Sequence, residues 1–244
     1  MSQRDFSHAN NPDFDCAESV ILLPFGRRSY LEALVTTYDG VAVPLDETTD
    51  RIVHQLGDLT LIYSGMGGPA AANALEMISN NGGQRVVVFG ACGGTDVKVA
   101  VGDLIAVSGA VRGEGTSSYY APMEFPAAFD PVLTTRLFEA AGRSDTGAHL
   151  GVVYTTDAGY RQGPEIYETY QGLAIGVESE CAAAAVVGAR LGLEMGALLF
   201  CSDNTTLPKD EDQVYRGLKN PTNRRGFEAG AEVVIQVLST LGGS

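Results

Sequence analysis

Three carboxylates sit where their type and spacing can do chemistry. Glu178 and Glu180 fall in Val177-Glu178-Ser179-Glu180, between a short strand and an alanine-rich helix, and Asp203 follows an apolar strand in Ser202-Asp203-Asn204. A carboxylate at a helix N-terminus is stabilised by free N–H groups, so capping is one reading of the glutamates. The other is a fixed, ionised acid that accepts hydrogen bonds from vicinal sugar hydroxyls. Asp203 likewise either caps a turn or, in a pocket, acts as a general acid that protonates a leaving base. A fourth feature, Ser64-Gly65-Met66-Gly67-Gly68, separates a strand from a helix N-terminus. Glycines there let successive N–H groups approach an anion or polar group, or they make only a tight turn. The loop is neither a dinucleotide fingerprint nor a P-loop: the G-x-G-x-x-G spacing and a following Gly-Lys-Ser/Thr are missing.

The elements that position these groups alternate between strand and helix. Strands are predicted at Val20 to Pro24, Leu59 to Tyr63, Arg85 to Phe89, Leu104 to Val111, Leu150 to Tyr154 and Leu193 to Cys201. Val86 to Thr95 reads as a buried strand ending in a glycine turn, with a second strand after Val101-Gly102-Asp103. Helices are predicted over Arg28 to Thr37, from Pro69 to about Ser79, over Glu180 to Leu191, and over an amphipathic C-terminal stretch from Gly226 to Leu241. The pattern favours an α/β fold, with a parallel or mixed sheet flanked by helices on both faces.

The 244 residues are 45% apolar, enough for one domain spanning 1–244 with a large core. A formal charge of −14 argues against general binding to nucleic acid or to anionic membranes, whose phosphates repel such a surface. There is no run of about 18 apolar residues and no apolar signal core near the N-terminus, so a cytoplasmic location is expected. Four dispersed cysteines and three histidines show no metal-ligand spacing, and no metal is expected.

Several of these segments, taken together, resemble the nucleoside phosphorylase-I family over nearly the whole chain, and its uridine phosphorylase branch most. They are Val86 to Thr95, Gly65-Met66-Gly67-Gly68-Pro69, Val101-Gly102-Asp103, Ala110-Val111-Arg112, and Ala121-Pro122-Met123-Glu124-Phe125-Pro126-Ala127. The resemblance implies a three-layer sandwich with a mixed, partly closed central sheet. It also implies a homo-oligomer built from dimers, a trimer or hexamer, with active sites near subunit boundaries. The substrate would be a small-molecule nucleoside, with phosphate as co-substrate and no cofactor.

Residue by residue, the resemblance places Glu180 on the ribose hydroxyls, with Glu178 and Ser179 in the same segment and Ser179 where a methionine is usual. It brings Met66 near ribose and phosphate, and His8 to the 5'-hydroxyl of a neighbouring subunit's nucleoside. Ser202-Asp203 resembles the purine branch, in which the aspartate donates a proton to purine N7. The glutamine and arginine that read uracil are replaced by Pro164 and Ile166, when aligned on Tyr167-Glu168-Thr169-Tyr170. Gly159 stands where an aromatic ring stacks on the base, with Tyr160 beside it. At the phosphate end Val88 replaces an arginine, Ala91 a hydroxyl residue, and Leu45 an arginine from the adjacent subunit. Gly26, Arg27, Arg28 and Gly65 remain as anion-binding candidates.

These features leave three possibilities. The first is phosphorolysis of a purine-like or modified nucleoside with a rebuilt phosphate site. The second is hydrolysis or transfer to another acceptor. The third is a binding or biosynthetic protein on the same scaffold that does not use phosphate.

Overall fold

The computed structural model describes residues 12–45, 51–161, 168–204, 206–207 and 217–241. Its strands are β1 (Ser19–Leu23), β2 (Val41–Val43), β3 (Ile52–Leu56), β4 (Leu59–Tyr63), β5 (Arg85–Gly94), β6 (Leu104–Gly113), β7 (Ala127–Ala128), β8 (Ala148–Thr156), β9 (Gly176–Glu178) and β10 (Glu194–Asn204). The helices are α1 (Ser29–Thr37), α2 (Gly68–Asn80), α3 (Pro131–Ala141), α4 (Cys181–Leu191) and α5 (Pro221–Leu241).

All ten strands join one mixed sheet that closes on itself along part of its length. Following the pairings β5–β10, β10–β6, β6–β8, β8–β9 and β9–β5 returns to the starting strand. The open arm β1-β4-β3-β2 branches from β5. A strand that serves both arm and barrel must change partners. β5 pairs with β1 over Arg85 to Val88 and with β9 at Gly93 and Gly94, while β10 runs beside it throughout.

This switch corrects the sequence reading of a strand followed by a glycine turn. The glycines are the last residues of β5 itself, because the bend needs backbone without side chains. A Cβ on Gly94 would lie 2.5 Å from Asn204 Nδ2, and one on Gly90 would lie 3.2 Å from Leu199 Cδ2. β10 also outruns its predicted end and carries Ser202, Asp203 and Asn204 inside the strand.

Helices cover both faces. One apolar cluster packs α2 and α4 against Val86, Val88, Ile105 and Leu199; the other packs α1, α3 and α5 against Val87, Phe89, Leu104 and Phe200. α4 is buried from Cys181 to Gly188, and its small residues let it lie closely between α2 and the sheet. Helix α3 was not anticipated. Its signal is Asp130-Pro131, where the Asp130 carboxylate accepts from Leu133 N–H at 2.8 Å and proline takes the first helical position. Strands β2 and β3 were also missed, and α5 begins five residues before its predicted start.

Candidate active site

The parallel strands β1, β4, β5 and β10 all deliver their C-terminal ends to one side of the sheet, where α/β folds bind ligands. The loops there are held from below. Phe25 stacks on Tyr30 with centroids 4.1 Å apart and joins Phe89, Phe200 and Phe227, which anchors the turn at Gly26. Ser64 N–H donates to Leu23 O at 3.1 Å, tying the Gly65 to Gly68 loop to the end of β1. The two loops meet: a Cβ on Gly26 would sit 3.9 Å from Met66 Sδ, and Met66 is otherwise 68% exposed.

Glu178 and Glu180, two residues apart, do different work. Glu178 ends β9, and its Oε2 accepts from the N–H groups of Glu180 and Cys181, each at 2.7 Å. Its Oε1 accepts from the Thr155 hydroxyl, whose oxygen accepts from Ala182 N–H at 2.9 Å. This is the capping role, and it engages both carboxylate oxygens. Glu180 is the N-cap residue of α4 but makes no side-chain cap there. Its Oε1 reaches the next helix instead and accepts from Gly67 N–H, at the N-terminus of α2, at 2.6 Å. Gly67 holds φ at 105°, a conformation costly for any residue with a side chain.

Both glutamates are 5% exposed. Burial pushes the Glu180 carboxyl up to about 8, helped by the charge of Glu178 and opposed by the N–H groups of Gly67 and Ser179. Burial also raises Glu178, against the donors that cap it. Ser179, between them, is half-buried.

Asp203 lies across one strand from this pair. Gly93 of β5 is flanked by Asp203 of β10 and Val177 of β9, which puts those two backbones roughly 10 Å apart, two strand spacings. Gly93 leaves the space between them unfilled: a Cβ there would lie 3.3 Å from Val177 Cγ1 and 3.7 Å from Asp203 Oδ2. Burial raises the Asp203 carboxyl above its usual range, while the Ser202 hydroxyl, 2.7 Å from Oδ1, pulls it down. Asn204 is buried, and its Nδ2 donates to the carbonyls of Asp96 and Val99 at 2.9 and 2.7 Å, fixing the strand end.

The residues expected at an anion site are placed differently. Val88 has 0% exposure within the apolar core; Ala91 and Leu45 are partly buried against the two clusters. Arg27 and Arg28 are exposed at the start of α1, with Arg28 as N-cap residue. The Arg27 guanidinium leans on Gly217, where a Cβ would come within 3.1 Å of Nη1. Neither α1 nor α2 has a side-chain cap, so their first N–H groups face the loops at Gly26 and at Gly65 to Gly67.

Thus Met66, Gly26, Gly65 and Glu180 converge, Asp203 stands on the neighbouring strand, and Glu178 supports the helix beneath. His8, Pro164, Ile166 and Tyr167 lie outside the described residues, as does the Tyr160 side chain; Gly159 is exposed. Sequence reasoning missed Thr155, whose signal was a polar Thr155-Thr156 pair closing an apolar strand. It also missed the donor role of Gly67 N–H, which no residue type announces. Two shallow surface hollows, one beside Asp15, Glu18 and Asp58 and one beside Asp130 and Glu194, lie at the N-terminal ends of the strands, away from this convergence.

With this geometry in place, the chain's relatives can be set beside it. The chain belongs to the Phosphorylase superfamily, whose family model matches residues 20–237. It is 36% identical over 175 residues to a uridine phosphorylase from Escherichia coli, covering 70% of this chain and 69% of that one. It is 33% identical over 148 residues to a guanosine phosphorylase from Halorubrum lacusprofundi. That match spans 60% of this chain and 61% of the relative's length. Among solved structures, a purine nucleoside phosphorylase from Toxoplasma gondii in complex with immucillin-H superposes with a TM-score of 0.82 at 19% identity, covering 93% and 92% of the two chains. An AMP nucleosidase from Bacteroides thetaiotaomicron gives 0.75 at 24% identity, covering 94% and 92%. These structures share the mixed, partly closed sheet flanked by helices.

Proposed function

We propose that this chain cleaves the N-glycosidic bond of a purine-like or modified nucleoside by phosphorolysis. The observation that carries this reading is the Glu180 carboxyl on the Gly67 N–H at the α2 N-terminus, with the Asp203 carboxyl beside the bare Gly93 of β5. Glu180 accepts from the sugar hydroxyls, and Met66 covers the sugar. A phosphate oxygen attacks C1', the bond to the base nitrogen breaks, and its electron pair leaves with the base. Asp203, kept protonated more readily by burial, donates its proton to the base. The products are free base and sugar 1-phosphate. The guanosine phosphorylase likeness and the Ser202-Asp203 pair support a purine.

Phosphate would be held by backbone rather than by the positions occupied by Val88 and Ala91. The N-termini of α1 and α2, the latter already engaging Glu180 through Gly67 N–H, supply N–H groups and positive charge with Gly26, Arg27, Arg28 and Gly65 beside them. No cofactor or metal enters this chemistry. The active unit is a homo-oligomer built from dimers, with His8 of one subunit reaching the next, and it is cytoplasmic; among the described residues no helix is long and apolar enough to cross a membrane.

One observation favours a second reading. The positions at which the resemblance expects anion ligands carry Val88, Ala91 and Leu45, which suits a neutral attacking group, and water would then give free sugar. Incubating the purified chain with a panel of purine, pyrimidine and modified nucleosides tests the proposal. Release of base, fastest from purines, is expected; binding without release from any of them overturns it.

A further inference from the structure

We propose that Ser202 is a positioning residue for Asp203, its hydroxyl holding the carboxyl group in place both with and without its proton. This rests on Asp203 acting as the acid. In a regular strand, neighbouring side chains point to opposite faces, so adjacent residues do not meet. Here the register between β10 and β5 slips: Cys201 lies opposite Cys92 and Asp203 opposite Gly93, leaving Ser202 as the extra residue of a bulge. The bulge turns the Ser202 hydroxyl toward its own neighbour, 2.7 Å from Asp203 Oδ1 and 3.1 Å from the Cys92 carbonyl oxygen.

A hydroxyl has one proton to donate, and these two acceptors share it, the shorter contact going to the carboxyl group. When Asp203 is ionised, Ser202 donates to Oδ1. When Oδ2, the oxygen nearer the bare Gly93, carries the proton, Oδ1 still accepts from the same hydroxyl. The carboxyl group is bonded in either state and need not rotate as its proton leaves. Ser202 is 5% exposed, so bulk water is a poor substitute.

The titratable groups around it are Cys92 on β5, Cys201 on β10 itself with Asp103 facing it, and Glu178 on β9 facing Cys92. Burial pushes Cys201 up to about 12 and Cys92 well above its ordinary value, so neither thiol ionises in the working range. Glu178 is tied to the α4 N-terminus and Thr155.

The test is the pH profile of kcat/KM for base release, read beside turnover of p-nitrophenyl riboside, whose leaving group needs no proton. Ser202→Ala loses the donor to the ionised form. The alkaline limb, where the acid gives up its proton, should move up by about one pH unit, and kcat should fall about tenfold with KM nearly unchanged. Ser202→Thr should restore the limb, and p-nitrophenyl riboside turnover should change less than about twofold. Should Ser202→Ala fail to fold, Ser202→Cys, which keeps the volume but donates weakly, reads the same limb. An unmoved limb in a folded variant, or equal losses on both substrates, overturns the proposal while leaving Asp203 as the acid. Full nucleoside turnover by Asp203→Asn overturns the acid role and this proposal with it.

Discussion

Around Glu178 and Glu180, polar groups are locked to one another across β8, β9, α4 and the loop before α2, and Asp203 is held by Ser202 on β10; Val88, Ala91 and Leu45, on β5 and the segment after β2, pack into the two apolar clusters instead. The first region holds buried carboxylates, each costly to desolvate, in a geometry that suits the proposed ligand, with its hydroxyl groups and basic nitrogen. Beside the second, the candidate cations are Arg27 and Arg28, exposed at the start of α1. On the proposed reading a sugar and base are held by side chains, and any anion by backbone. Charge-assisted hydrogen bonds are roughly twice as strong as neutral ones, so the anion end should bind more weakly than one carrying buried arginines. On the proposed reading, saturation by phosphate is the weak point of turnover.

The largest effect should come from the proton donor. Asp203→Asn keeps the shape but cannot donate an acidic proton, and kcat for a nucleoside should fall on the order of 10²–10⁴-fold. Activity on p-nitrophenyl riboside should largely survive, which steady-state assays on both substrates would reveal. Equal loss on the two would make Asp203 structural.

Next comes Glu180→Gln, which should lower kcat/KM about 10–100-fold, since the amide changes the donor and acceptor set that the sugar hydroxyls meet. This variant also reports on stability. The Glu180 carboxyl sits at about 8 in the fold and near its ordinary value of 4.5 when unfolded. The folded state therefore holds its proton more tightly. The contribution is fully present below about pH 4.5 and is lost as pH rises toward 8. Thermal melts should show Tm falling across that window in the parent and more shallowly in Glu180→Gln; parallel curves would count against a buried acid there.

The fold was legible where apolar runs and helix formers spoke for themselves. β1, β4, α2 and α4 appear close to their predicted bounds because each buries a continuous apolar face. The ends of β5 and β10 were not legible. Glycine and Asp-Asn usually mark turns, and only closure of the sheet explains why they stay extended. The same long-range pairing hid Ser202, since a bulge depends on register with a strand more than a hundred residues away. For the glutamates the sequence left capping and ligand binding open. The structure divides the two roles between residues, because β9 stops at Glu178 and leaves Glu180 aimed at α2.

A smaller effect should appear at the anion end. Arg28→Ala should raise KM for phosphate about tenfold, with the nucleoside KM changed less than about twofold, since it removes one exposed charge beside the α1 N-terminus. Varying each substrate in turn separates the two constants. A change confined to the nucleoside KM would put the anion elsewhere.

The central claim is that phosphate, held at the backbone-lined end, attacks the sugar that Glu180 holds. The direct measurement is the rate of base release from the best nucleoside as phosphate is raised from zero, with the sugar product identified. A rate that starts near zero, saturates only at high phosphate and yields sugar 1-phosphate is the predicted result. Release at the same rate without phosphate, yielding free sugar, contradicts it.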